Sequence, residues 1–153
     1  MEARRTLPWH PTGMRRFDPD AYSITYIPVS AAMSTPVVTA DGVYSASENR
    51  RVYRFAIETG AVRYAWGAQI RAMQVCAAGP LVYAGYFNGQ VVALPGTGGG
   101  PVWSRRLRYG RIYGLASVAG TLYVSAGAHL LALDAETGAG PWPWSRLTER
   151  IPR

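Results

Sequence analysis

Leu133-Asp134-Ala135-Glu136-Thr137-Gly138-Ala139-Gly140-Pro141-Trp142 decides how the chain is read, because two earlier stretches echo it. Phe55-Ala56-Ile57-Glu58-Thr59-Gly60 leads to Tyr64, and Leu94-Pro95-Gly96-Thr97-Gly98-Gly99 leads to Trp103, as the Gly138 stretch leads to Trp142. Gly60, Gly99 and Gly138 lie at equal intervals, and each is followed four residues later by its aromatic. An apolar residue stands three before each Phe or Leu (Val52, Val91, Leu130), and a tyrosine stands seven or eight before that (Tyr44, Tyr83, Tyr123). A recurring period of about 40 residues with several matched positions marks a repeat architecture. Each copy has a local physical sense. The Phe or Leu ends an apolar strand, the glycine supplies the positive φ of a tight turn, and the aromatic brings a large apolar area to the next strand.

Working outward, each repeat divides into four short strands, A to D. In the first these are Pro36–Ala40, Val43–Ser47, Val52–Ile57 and Ala61–Trp66. In the second they are Met73–Ala77, Leu81–Tyr86, Gln90–Leu94 and Pro101–Arg105, and in the third Gly114–Val118, Thr121–Ala126, His129–Asp134 and Gly140–Trp144. Asp41-Gly42 and Asn88-Gly89 are hairpin turns, since both residues of such pairs tolerate left-handed geometry. No segment shows capped helical periodicity. Upstream, Phe17-Asp18-Pro19-Asp20-Ala21 is a worn copy of the turn motif without its glycine. Tyr22-Ser23-Ile24-Thr25-Tyr26-Ile27-Pro28-Val29 alternates like a strand. The expected organisation is a basic, disordered arm over 1–16, the remnant of a preceding blade over 17–33, three repeats over 34–72, 73–112 and 113–145, and a polar tail over 146–153.

Four antiparallel strands in a unit of about 40 residues describe a β-propeller blade. The fold class expected is all-β: a partial propeller of three four-stranded antiparallel blades plus one leading strand. The wording Gly-x-x-Tyr, an apolar strand, then Leu-Asp-Ala-x-Thr-Gly and a Trp resembles the pyrroloquinoline-quinone-type (PQQ-like) propeller repeat family over residues 34–145. The likeness is closest in the third repeat, and Pro95 and Gly96 replace Asp-Ala in the second. The resemblance implies propellers of seven or eight blades. Its members include quinone-dependent dehydrogenases and non-catalytic relatives such as outer-membrane assembly scaffolds and sensor regions of bacterial kinases. Three blades cannot close a ring, so the chain is expected to be part of a longer propeller, a reduced relative, or a protomer that self-associates through open blade edges.

Composition bounds the chemistry. The 153 residues are 48% hydrophobic, enough for a globular core, and hold one cysteine, Cys76, in an apolar run that argues for an inert thiol. No segment reads as a signal peptide or a bilayer span, which gives a cytoplasmic expectation for the chain as it stands. His10 and His129 form no ligand pattern, and Gly96-Thr97-Gly98-Gly99-Gly100 lacks the Lys-Ser/Thr of a phosphate loop. Enzymes that the resemblance brings to mind hold their quinone beside acidic calcium ligands and often a vicinal disulfide, which one cysteine excludes. No catalytic, cofactor or metal residues are assigned, no cofactor is expected, and the expected role is a non-catalytic interaction scaffold. A fragment of a quinoprotein oxidoreductase or a ligand-sensing domain is the alternative.

Charge supplies the candidate site. All 16 basic residues are arginine and the net charge is +7. In an up-and-down blade the B–C and D–A connections share one face. That placement gathers Arg50, Arg51, Arg71, Arg106, Arg108 and Arg111, with Tyr109 and Tyr113 among them, while Asp41, Glu58, Asp134 and Glu136 fall on the opposite face and Glu48 is the exception. Such a face either stays solvated or docks an acidic protein partner through arginine and tyrosine hot spots. Nucleic acid is the less favoured partner, since no recognised binding module is present.

Overall fold

A computed structural model describes residues 31–142 together with two backbone segments, 13–18 and 23–28. The chain is all-β. β1 (Gly13–Asp18) and β2 (Ser23–Pro28) form a two-stranded antiparallel sheet. The first full blade is β3 (Val37–Thr39), β4 (Gly42–Ser47), β5 (Arg51–Phe55) and β6 (Val62–Gly67), hydrogen-bonded in chain order. The second is β7 (Ala72–Ala78), β8 (Leu81–Tyr86), β9 (Gln90–Pro95) and β10 (Trp103–Arg106), again in chain order. The third is β11 (Ile112–Val118), β12 (Thr121–Ala126) and β13 (His129–Asp134). The four-strand meander recurs because each turn is short and locally specified. Gly60 and Gly138 carry φ of 71° and 74°, and each donates its N–H to the carbonyl four residues back, Ala56 and Asp134 respectively, at 2.8 Å. In both turns the threonine Oγ1 accepts from the residue two further on, Thr59 from Ala61 and Thr137 from Ala139, at 3.2 Å.

Two expectations need correction. Gly13–Arg16 do not belong to an arm but to β1, so the leading element has two strands rather than one. The alternating β2 segment needs an antiparallel neighbour for its backbone, and Phe17 pairs with Ile24 as Phe55 pairs with Val62. β1 and β2 thus repeat the C–D pairing, the outer half of a blade. The rest of the proposed arm, residues 1–12, lies outside the described residues. The third blade's strand D, expected over Gly140–Trp144, is no strand through Trp142, and the remainder lies outside the described residues. Two bonds still tie this segment to β13: Asp134 N–H donates to Ala139 and Trp142 N–H to Ala132. Between them, Pro141 has no N–H to give the ladder.

The core lies between blades rather than inside them. One apolar layer joins Tyr44, Ala46, Val52 and Trp66 of the first blade to Val82, Ala84, Tyr86, Val92 and Leu94 of the second. A second layer joins Tyr83, Val91 and Ala93 to Leu122, Val124, Ala126 and Leu133. Hydrogen bonds from one blade to the turn of the next stitch each layer at fixed offsets. Tyr44 Oη donates to the Gly96 carbonyl (3.4 Å) and Tyr83 Oη to the Ala135 carbonyl (2.9 Å), both 52 residues ahead. Trp66 Nε1 donates to the Gly99 carbonyl (3.0 Å) and Arg105 Nη1 to the Gly138 carbonyl (2.8 Å), both 33 residues ahead.

The turn glycines serve this joint as well as their own conformation. A Cβ at Gly138 would lie 2.6 Å from the Trp103 ring, and one at Gly98 would lie 2.8 Å from the Tyr64 ring. The repeated aromatic therefore rests on the turn of the following blade. Tyr64, at 36% exposure, is less buried than its place in the motif leads one to expect, and Trp66, at 5%, fills the layer instead. Close approach also rules at Gly85, where a Cβ would lie 2.3 Å from Ile112 Cγ2.

The Tyr83 bond is fully buried, so Tyr83→Phe is expected to lower unfolding free energy by about 0.5–1.5 kcal/mol, read from the denaturant midpoint at unchanged slope. A pH dependence also follows. Burial pushes the Cys76 thiol from 9.0 up to about 12 and the Tyr86 phenol from 10.0 up to about 12. Folding therefore holds both protons that the unfolded chain releases. Stability is full below pH 9.0 and falls as pH rises from there toward about 12, and denaturant midpoints across that window should decline steadily. Over the same range the native thiol should react slowly with a disulfide reagent and the unfolded one rapidly.

Candidate functional site: the arginine and aromatic face

The connections that carry the eight candidate residues are held tightly. Between the second and third blades, Leu107 N–H donates to the Gly89 carbonyl and Gly127 N–H to the Arg111 carbonyl. Neither glycine admits a side chain: a Cβ at Gly89 would lie 2.4 Å from the Leu107 carbonyl oxygen, and one at Gly127 2.0 Å from that of Tyr109. Leu107 is buried and anchors the linker, which leaves its neighbours Arg106, Arg108 and Tyr109 exposed. Between the first and second blades, Ala68 N–H donates to the Arg50 carbonyl and Phe87 N–H to the Arg71 carbonyl. Each linker is thus stitched to the B–C turn beside it.

All eight residues are exposed on this face, and four of them are drawn into specific contacts. Phe87, in the second blade's B–C turn, is the centre. The Arg71 guanidinium carbon lies 4.4 Å from its ring centroid and that of Arg111 5.5 Å. Arg111 also lies 4.6 Å from the Tyr113 ring centroid, and its Nε donates to the Tyr113 hydroxyl. Arg71 is within 3.9 Å of Glu48, both about half exposed. Tyr109 packs its ring against that of His129 at 4.8 Å. Arg50, Arg51, Arg106 and Arg108 are exposed nearby. Arg50 sits at φ 70° in its turn, where a left-handed residue tightens the β4–β5 hairpin.

Phe87 and His129 were missed as site residues. Phe87 was legible only as the residue ahead of the Asn88-Gly89 hairpin, and the pairing of two distant arginines over one ring has no signature in spacing. His129, expected to open strand C, does so, and its ring contact with Tyr109 comes from the linker's course. Cation–π placement of this kind holds a guanidinium on an aromatic face while leaving its N–H edges free to donate to a carboxylate. On the outer side, a groove of about 520 Å³ runs between the first two blades, lined by Tyr64, Trp66, Ile70, Tyr86, Asn88 and Gln90 among others. None of these carries a carboxylate or an imidazole, so the groove offers shape, aromatic surface and amide hydrogen bonds. Among the described residues, no three His, Cys, Asp or Glu side chains are grouped to hold a metal, and no helix is long and apolar enough to cross a membrane.

Comparison with known proteins rests on the fold. No family model matches the chain, and no curated protein matches it in sequence. Solved structures do. BamB from Moraxella catarrhalis is similar over 74% of this chain and 36% of its own, at 20% identity and a TM-score of 0.63. A quinohemoprotein alcohol dehydrogenase from Pseudomonas putida HK5 is similar over 73% of this chain and 20% of its own, at 22% identity and a TM-score of 0.63. The WD40 repeats of RRP9 are similar over 69% of this chain and 36% of that chain, at 13% identity and a TM-score of 0.64. This chain spans about a third or less of each, and at these identities the likeness concerns the fold: consecutive blades of a β-propeller.

Proposed function

We propose that the chain is a PQQ-like propeller-repeat protein that works without catalysis, as an interaction scaffold whose arginine-rich face docks an acidic protein partner. The observation that carries this reading is that the Arg71 and Arg111 guanidinium groups both lie over the Phe87 ring, with Tyr113 against Arg111. Long arginine side chains normally lose several rotamers on binding. Resting two of them on aromatic rings reduces that cost and fixes their direction. Arginine and tyrosine are the residue types that dominate interface energies, and the acidic Asp41, Glu58 and Glu136 stand at the opposite, turn-bearing face, where they do not neutralise the patch. The quinohemoprotein likeness supports a shared blade architecture, and a quinoprotein or ligand-sensing role is the second reading.

Two measurements separate these. Arg71→Glu with Arg111→Glu is expected to abolish retention on an immobilised acidic peptide, while Arg63→Glu, on the exposed outer strand, leaves it near wild type. Retention should also weaken steeply as salt rises. Equal retention of the double variant and wild type contradicts the docking role. Pyrroloquinoline quinone with calcium should leave the melting temperature unchanged; a rise that saturates with quinone favours the second reading.

A further inference from the structure

The first two blades do not close completely along their outer strands. Tyr64 and Trp66, two residues apart on one face of β6, and Gln90 and Ser104, on β9 and β10, line the groove of about 520 Å³ between them. One wall is aromatic. The Tyr64 and Trp66 rings meet at 4.7 Å, tilted by 56°, and Trp66 Nε1 donates to the Gly99 carbonyl, which holds the indole in place. The facing wall is polar. Gln90 shares a strand face with the buried Val92 and Leu94, at the end where that apolar row stops. Gln90 Nε2 donates to Ser104 Oγ at 2.8 Å, and the Gln90 backbone N–H donates to Asn88 Oδ1 at 3.0 Å. Each bond fixes a group and uses only one side of it. The Asn88 amide N–H groups, the Gln90 side-chain oxygen and the Ser104 hydroxyl hydrogen are left over, and the Gln69 amide stands on the linker. None of the lining residues carries a formal charge, although the chain bears +7.

We infer that this groove binds a neutral saccharide of one or two rings. Its chemistry rules by elimination and by match. An anion finds no cation here and a cation no carboxylate, while a purely apolar ligand leaves the amides unpaired at a cost. A sugar hydroxyl both donates and accepts, which suits the mixed donors and acceptor of Asn88, Gln90 and Ser104. A pyranose also has a C–H face, which suits the aromatic wall. The volume falls in the range of about 300–1,000 Å³ usual for small-molecule sites. A proline-rich peptide also suits aromatic grooves, yet it offers carbonyls and few donors, which leaves the Gln90 oxygen unmatched. The wall is particular to this joint. Arg105 holds the repeat position of Trp66 one blade on, and donates to the Gly138 and Gly140 carbonyls instead. The eight arginine-face residues take no part in the groove, so the site stands whether or not that face docks a partner.

Titration of the full, nitrogen-15-labelled chain with maltose, cellobiose and diacetylchitobiose, followed by NMR, tests this. At least one of the three is expected to shift the Trp66 indole N–H and the Asn88 and Gln90 side-chain amides, saturably and at millimolar concentration. Tyr64→Ala and Ser104→Ala should each weaken that binding about two- to tenfold. Ser104 is exposed, so its variant should keep the wild-type unfolding midpoint. Arg71→Glu with Arg111→Glu should bind the sugar as wild type does, which separates this site from the arginine face. Three disaccharides that leave those signals in place overturn the inference. So does a polyproline peptide that shifts them where the sugars do not, or sugar binding that both single variants leave unchanged. Should Tyr64→Ala lose its β circular dichroism, Ser104→Ala decides alone, and undiminished binding rejects the site.

Discussion

The structure depends on an aromatic ring of one blade lying on the turn of the next. Trp103 occupies the space that a side chain at Gly138 would take, and Tyr64 does the same at Gly98. The turn glycine therefore answers two demands together: a positive φ for its own hairpin, and a bare surface for its neighbour's ring. Around this contact the tyrosine bonds at an offset of 52 and the Trp66 and Arg105 bonds at an offset of 33 close the joint. A single sheet of four short strands has little core of its own. Burial comes mainly from the layer between sheets, and the two larger clusters of buried residues each draw on two blades.

The same geometry creates the arginine-rich face. Strands that meander in order send B–C and D–A connections to one side, where the linkers must pass close to the turns. Gly89 and Gly127 permit this, and the bonds of Leu107 and Gly127 hold it. With the linker backbone held, the exposed side chains between its anchors have fixed origins, and Arg71 and Arg111 reach one ring from opposite linkers. The acidic residues follow the turns to the other end.

Much of this was legible in residues. β8, β12 and β13 begin and end where alternation and turn chemistry place them, because each is bounded by glycine or by an Asn-Gly type pair. Physical reasons account for the misses. Gly13–Arg16 carry arginines and lack alternation, so their strand is imposed by the partner β2 rather than by local pattern. Tyr64 meets the following turn as its repeat position implies, but Trp66, which spacing did not single out, is the more deeply buried of the two. At the site, charge segregation was readable from topology, since it needs only the order of the loops. The Arg71, Phe87 and Arg111 contact was not, because it joins three loops whose approach is set by blade twist.

The most direct measurement is a double-mutant cycle between Trp103→Ala and Gly138→Ala, followed by denaturant unfolding. If the ring of one blade rests on the glycine of the next, the alanine at Gly138 costs less once Trp103 is gone, and the coupling is about 0.5–3 kcal/mol. Costs that simply add, with the alanine equally harmful with and without the indole, would contradict the account.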